Sequence, residues 1–187
     1  MAGLFHKGKE CGQNSSFKMA NAQELAQDIS LYMCGEGKDA CFRRQILRRL
    51  VDDLSWQYGS FYQETMDYMG VNGDTAFHVF KPLAIGMFTD FNWGRLVSLY
   101  SLGGYIAKHV YKTDKPGAYK FADDFGVLAS LYVEPWVENH GGWSAFEDFF
   151  KTQEDIDTYV WRGLYTALLY LTSVAEKLFT SHDFSIL

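Results

Sequence analysis

The stretch Asn92–Ala107, NWGRLVSLYSLGGYIA, decides how this chain folds. From Leu96 to Ala107 it is apolar nearly all round, interrupted only by small serines and glycines. A helix without a polar face must be surrounded, by other helices or by lipid. About 12 residues separate Arg95 from Lys108, whereas a bilayer span needs about 20. A buried central helix with amphipathic helices packed around it is therefore expected. The start of this segment breaks local rules. Asn92 is a good N-cap, which puts Trp93, Gly94 and Arg95 in the first turn. Glycine forms helix poorly, and a cation in the first turn opposes the helix dipole. Two readings stay open at this point. Arg95 is an ordinary surface residue, or Gly94 lets another backbone approach while Arg95 offers its guanidinium to a carboxylate on a visiting helix.

Outward from this segment, helical spacing recurs. Leu25, Ile29, Tyr32 and Met33 form one stripe. Ile46, Leu47, Leu50, Val51 and Leu54 form a second, and Phe121, Phe125, Leu128, Tyr132 and Trp136 a third. No alternation of β-branched residues bounded by turns supports strands. Natural turns fall at 35–37, 72–73, 114–117 and 141–142. Residues 1–18, rich in Gly, Lys, Ser and Asn, read as a flexible N-terminal tail. The expected organisation is one all-α domain over 19–180, with a short C-terminal tail at 181–187.

The chain has 187 residues, enough for one domain with a real core, and its aromatic content of 17% calls for extensive packing of large side chains. A net charge of −6 without a basic block argues against nucleic acid as a partner. Cys11, Cys34 and Cys41 are too few, and odd in number, for a secreted disulfide framework; free thiols in a reducing compartment are expected. No apolar run follows Met1, so no signal peptide is expected, and Ala2 stands where myristoylation needs glycine.

A second cluster, WVENHGGWSAFEDFF, occupies 136–150. Gly141 or Gly142 can end a helix in the left-handed conformation, after which Trp143, Phe146, Phe149 and Phe150 begin a short aromatic helix. Alone, this reads as a helix–turn–helix corner packed by tryptophan. Together with FNWGRLVSLYSLGG at 91–104, it resembles the second and first homology regions of the Bcl-2 family of apoptosis regulators. Upstream, LRRLVDDL at 47–54 resembles the third region and QELAQDISLY at 23–32 the fourth. The four lie in the family's order between about residues 20 and 150. The link between Asp90 and Asn92 is one residue shorter than the usual pattern.

The resemblance implies a bundle of about eight helices around the central one, with a hydrophobic groove on one face. Carried over by position, the groove is lined by Leu54, Tyr58, Tyr62, Leu83, Met87, Asn92, Gly94, Arg95, Ser98 and Phe150. Its implied partners are the amphipathic BH-three helices of pro-apoptotic family members. A row of apolar sockets with one arginine fits a helix with four apolar anchors and one aspartate. No cofactor, metal or catalytic residue is implied. His6, His78, His109, His140 and His182 are scattered, no nucleophile elbow or phosphate loop occurs, and Asp52, Asp53, Asp123 and Asp124 read as solvated helix faces.

Survival members of the family sequester ligand helices, and killer members permeabilise mitochondria. The family's third region usually carries a small residue before its aspartate, but this chain has Val51. A β-branched residue there should clash if the segment acts as a ligand. Gly103-Gly104 also looks more like the survival members, while AKHVY at 107–111 fits either. A survival protein is expected, with a pore-forming effector as the alternative. The expected location is cytoplasmic, with peripheral contact at the mitochondrial outer membrane or the ER. The apolar run 163–175 is too short to span a bilayer and reads as a packing helix, an interfacial helix or the remnant of an anchor.

Overall fold

The structure is a computed structural model, and it describes residues 20–37 and 40–151. These form helices α1 (Ala22–Met33), α2 (Phe42–Tyr68), α3 (Ala76–Met87), α4 (Trp93–Tyr111), α5 (Lys115–Asn139) and α6 (Gly142–Lys151), with a 3-10 turn over Phe88–Asp90. No strand occurs among the described residues. The expected tails, the run 163–175 and Cys11 lie outside them.

Helix α4 is the central helix that its apolarity calls for. Asn92 caps it, its Oδ1 accepting from the Arg95 backbone N–H at 3.0 Å. Every residue from Leu96 to Ala107 is buried, and α1, α2, α3 and α5 all pack against α4. The adjacent glycines explain how closely. A Cβ on Gly103 would come within 2.4 Å of the Phe125 ring, and one on Gly104 within 2.8 Å of Met33. The two positions thus seat α5 and α1 against the central helix.

The amphipathic helices bury the stripes read from the sequence. Leu25 and Ile29 of α1 are buried, as are Ile46, Leu47, Leu50, Val51 and Leu54 of α2. On α5, Phe121, Phe125 and Leu128 are buried, but the stripe then drifts outward, leaving Trp136 half-buried and Tyr132 exposed. Helices α1 and α2 both end in a Schellman motif on a glycine with positive φ. Glu36 N–H donates to Leu31 O at 2.9 Å beyond Gly35, and Val71 N–H to Met66 O at 3.2 Å beyond Gly70. Ion pairs fasten α1 to α2: Asp28 accepts from Arg48 Nη2 at 2.7 Å and lies 3.7 Å from Arg44.

The α1–α2 connection is held to the α4–α5 corner by Glu36, whose carboxylate accepts from the hydroxyls of Tyr111 and Tyr119. Those hydrogen bonds, Tyr111's first, hold the Glu36 carboxyl below its usual range, and the Glu36 carboxylate pushes the Tyr119 phenol up to about 12. Cys34 and Cys41 are free thiols; burial pushes Cys34 up to about 11, which makes it a poor nucleophile.

The helix count departs from the expected eight: the described residues hold six α-helices and one 3-10 turn. The expected eight were for the whole chain; among the described residues α2 runs unbroken for 27 residues. No proline interrupts it, and Tyr62 and Met66 continue the buried face begun by Leu47 and Leu54. Among the described residues, no helix is long and apolar enough to cross a membrane.

Candidate ligand-helix groove

The first turn of α4 holds Arg95 in an under-paired state. Its side chain is 14% exposed, yet its nearest carboxylate, Asp90 Oδ2, stands 3.9 Å away on a side chain that is 84% exposed. An ion pair of that kind is worth little. Nη1 donates weakly to Met87 O at 3.4 Å, and Nε is buried with no hydrogen-bond partner among the described residues. A buried guanidinium with spare donors has the chemistry to bind a carboxylate. Gly94 beside it is buried, and Ser98 one turn on donates its hydroxyl to Gly94 O at 3.0 Å.

Aromatic rings join the two segments that the sequence singled out. Trp93 of α4 meets Trp136 of α5 edge-on at 4.7 Å between ring centroids, and Phe146 of α6 at 5.7 Å. Phe91 stands against Trp136 at 4.9 Å, and Phe146 against Phe150 at 5.0 Å. Gly141 and Gly142, with φ of 92° and 74°, make the reversal that sends α6 back across this lattice. The start of α4 and the whole of α6 therefore share one rigid corner.

The remaining positions divide by burial. Leu54 and Tyr62 of α2, Leu83 and Met87 of α3, and Phe150 of α6 are all buried; Tyr58 is half-buried, and Asn92 is exposed with its side chain committed to the cap. Leu54, Tyr62, Leu83, Met87 and Phe150 belong to the one core cluster. Seven of the ten positions are buried, filled by the protein's own packing.

Three features escaped the sequence reading. Arg43, almost fully buried, donates Nε to Glu147 Oε1 at 2.7 Å and Nη1 to Ala20 O at 2.6 Å, and lies over the Trp143 ring at 5.2 Å. Glu134 accepts from Trp143 Nε1 at 3.0 Å and from the Ala22 N–H. Tyr105 stacks on Tyr62 at 4.5 Å and donates its hydroxyl to Ser55 O at 3.3 Å. A signal existed for Arg43, which occupies the apolar stripe of α2 four residues before Leu47. None existed for Glu134, whose partners lie on α6 across a turn and, 112 residues away, at the start of α1. Asp52, Asp53 and Asp123 are exposed as expected, though Asp52 accepts from Tyr32 at 2.6 Å; Asp124 is half-buried. Among the described residues no group of His, Cys, Asp and Glu could hold a metal ion.

Comparison with known proteins matches residues 47–143, just over half of the chain, to the family model described as "Apoptosis regulator proteins, Bcl-2 family". The chain is 27% identical to Bcl-2-like protein 1 of Rattus norvegicus over 57% of its own length and 47% of the relative's. It is 30% identical to the Bcl-2 homologous antagonist/killer of Homo sapiens, over 50% and 46%. It is 28% identical to the apoptosis regulator Bcl-2 of Canis lupus familiaris, over 68% and 55%. The chain spans about half the length of the curated relatives it matches.

Proposed function

The chain belongs to the Bcl-2 family of apoptosis regulators, and on that premise we propose that it is a survival-type member. It sequesters the amphipathic BH-three helices of pro-apoptotic partners in the groove bounded by α2, α3, the start of α4 and α6. The observation that carries this reading is Arg95. It is mostly buried, weakly paired and has unused donors, as a receptor for one ligand aspartate would be. The protein works without catalysis or cofactor, as a single domain over 19–180, in the cytoplasm with peripheral contact at a mitochondrial or ER membrane.

A second reading, a pore-forming effector, is favoured by one observation: a protein named antagonist/killer stands among the relatives at 30% identity. Val51 weighs the other way. It is fully buried against the core, and it is too large for the tightest contact that α2 would make if expelled as a ligand.

The test is calorimetric titration of the folded chain with a panel of synthetic third-region peptides. Saturable binding between nanomolar and micromolar is expected, burial of the peptide's apolar anchors offsetting the cost of ordering the peptide and opening the filled sockets. No heat and no saturation across a broad panel would overturn the groove reading.

A further inference from the structure

Ser101 is the odd hydroxyl of this bundle. In helical segments Ser30, Ser55, Thr65 and Ser98 each donate to the carbonyl four residues earlier, on Ala26, Val51, Phe61 and Gly94. Ser101, in the middle of α4 and fully buried, does not: its Oγ has no hydrogen-bond partner of good geometry among the described residues. It acts instead on the Tyr62 phenol, which burial pushes well above its usual range and the Ser101 side chain draws partly back. Tyr62 in turn stacks on Tyr105. Tyr62, one of the expected groove positions, thus has beside it a buried hydroxyl with spare capacity and a second phenol, where an apolar socket would need only hydrocarbon. A buried polar group without a partner weakens the fold and calls for an explanation.

We propose that Ser101, Tyr62 and Tyr105 form a polar socket that selects ligand helices carrying a hydroxyl-bearing side chain, threonine or serine, at one of their anchor positions. This rests on the groove reading above and deepens it. The cover over the socket is the stretch of α2 around Gly59, tied to α4 by the Tyr105–Ser55 hydrogen bond. Gly59 lies mid-helix in α2, and the hydroxyls of Ser55 and Thr65 on either side of it back-bond to their own helix, a pattern that loosens helices. Opening this stretch swings Tyr62 aside and presents Ser101 to the incoming side chain. A threonine arriving there forms the bond that Ser101 lacks; a valine of the same shape leaves it unmade. Binding sites that hold a buried polar group discriminate in this way against ligands that cannot satisfy it.

The experiment uses one parent third-region peptide with valine at all four anchors and four variants, each with a single anchor changed to threonine. Each is titrated into the wild-type chain and into Ser101→Ala and Tyr62→Phe. At one anchor the wild type is expected to bind the threonine peptide at least as tightly as the valine parent. There the threonine-to-valine affinity ratio should fall about tenfold in Ser101→Ala, the worth of one buried hydrogen bond. Because Ser101→Ala removes an unsatisfied hydroxyl, its thermal midpoint should equal or exceed that of the wild type. Ratios that are equally low in wild type and Ser101→Ala at all four anchors would overturn the socket while leaving the groove reading intact. Failure of the valine parent and of the broad peptide panel alike to bind would remove the groove reading, and the socket with it.

Discussion

Arg95 shows how much one residue can be asked to carry. Its guanidinium is largely buried while its nearest anion is solvated at 3.9 Å, so the folded chain leaves it short of a partner. A ligand aspartate that reached it would form a charge-assisted bond in a partly dry site, worth roughly 1–3 kcal/mol. Arg95→Ala should therefore weaken binding by about that amount without unfolding the chain. An aspartate-to-alanine change in the peptide should add little to that loss, and titrations of the four combinations measure the coupling. Full additivity of the two changes would mean that the two groups do not meet. Local rules made this residue legible: an N-cap, a first-turn glycine and an opposed cation stand together in seven consecutive letters, 89–95. Ser101 was not legible, because a serine among apolar residues reads as a harmless small residue, and only the missing back-bond sets it apart. The burial of the groove positions was equally hidden. Sequence tells which residues are apolar, but not whether the sockets they line are open or filled.

At the scale of elements, the pattern that was most readable was α4, since twelve consecutive residues without a polar face admit few arrangements. The stripes of α1, α2 and α5 followed from period alone. The turns read at 35–37 and 72–73 leave room for a long α2, and within it Gly59 lies against the hydroxyl of Tyr105, which bonds to Ser55 O. The tie between α2 and α6 was beyond reach, since Arg43 and Glu147 are 104 residues apart. That tie carries a prediction. The Arg43 side chain is 6% exposed and that of Glu147 19%, so removing the cation strands a half-dry carboxylate and the Ala20 carbonyl. Arg43→Met, which keeps the apolar stem over Trp143, should cost roughly 2–4 kcal/mol, somewhat below the figure for a fully buried pair. Adding Glu147→Leu should restore part of it. Denaturant titration gives the magnitude, and hydrogen exchange should show α6 losing protection before α4. Equal stability of Arg43→Met and wild type would mean that the pair contributes nothing.

For the whole molecule the question is whether α2 stays in place. An effector must expel this helix into another chain's groove; a survival protein keeps it. Here its N-terminal half is fastened at several points: Arg43 to α6, Arg48 and Arg44 to Asp28 of α1, Asp52 to Tyr32, and the stripe Leu47, Leu50, Val51 and Leu54 to the core. Expulsion breaks all of these at once and gains little, because Val51 then has to enter the narrowest part of a foreign groove. Three extra carbons relative to glycine at such a point cost about 1–3 kcal/mol. A peptide spanning 43–57 should therefore bind survival-type grooves poorly. Val51→Gly should tighten that binding despite a helix penalty of about 1 kcal/mol, because relief of the clash outweighs it. In the intact chain the same substitution opens a cavity and should lower stability instead. The sign of the Val51→Gly effect thus reverses between peptide and protein, as it must if α2 serves as core and not as ligand. Full-length protein should accordingly protect mitochondria from a third-region stimulus and release no dye from liposomes. Tight binding by the wild-type peptide together with dye release would place the chain among the effectors, because it would show α2 leaving the core at a cost the fold can bear.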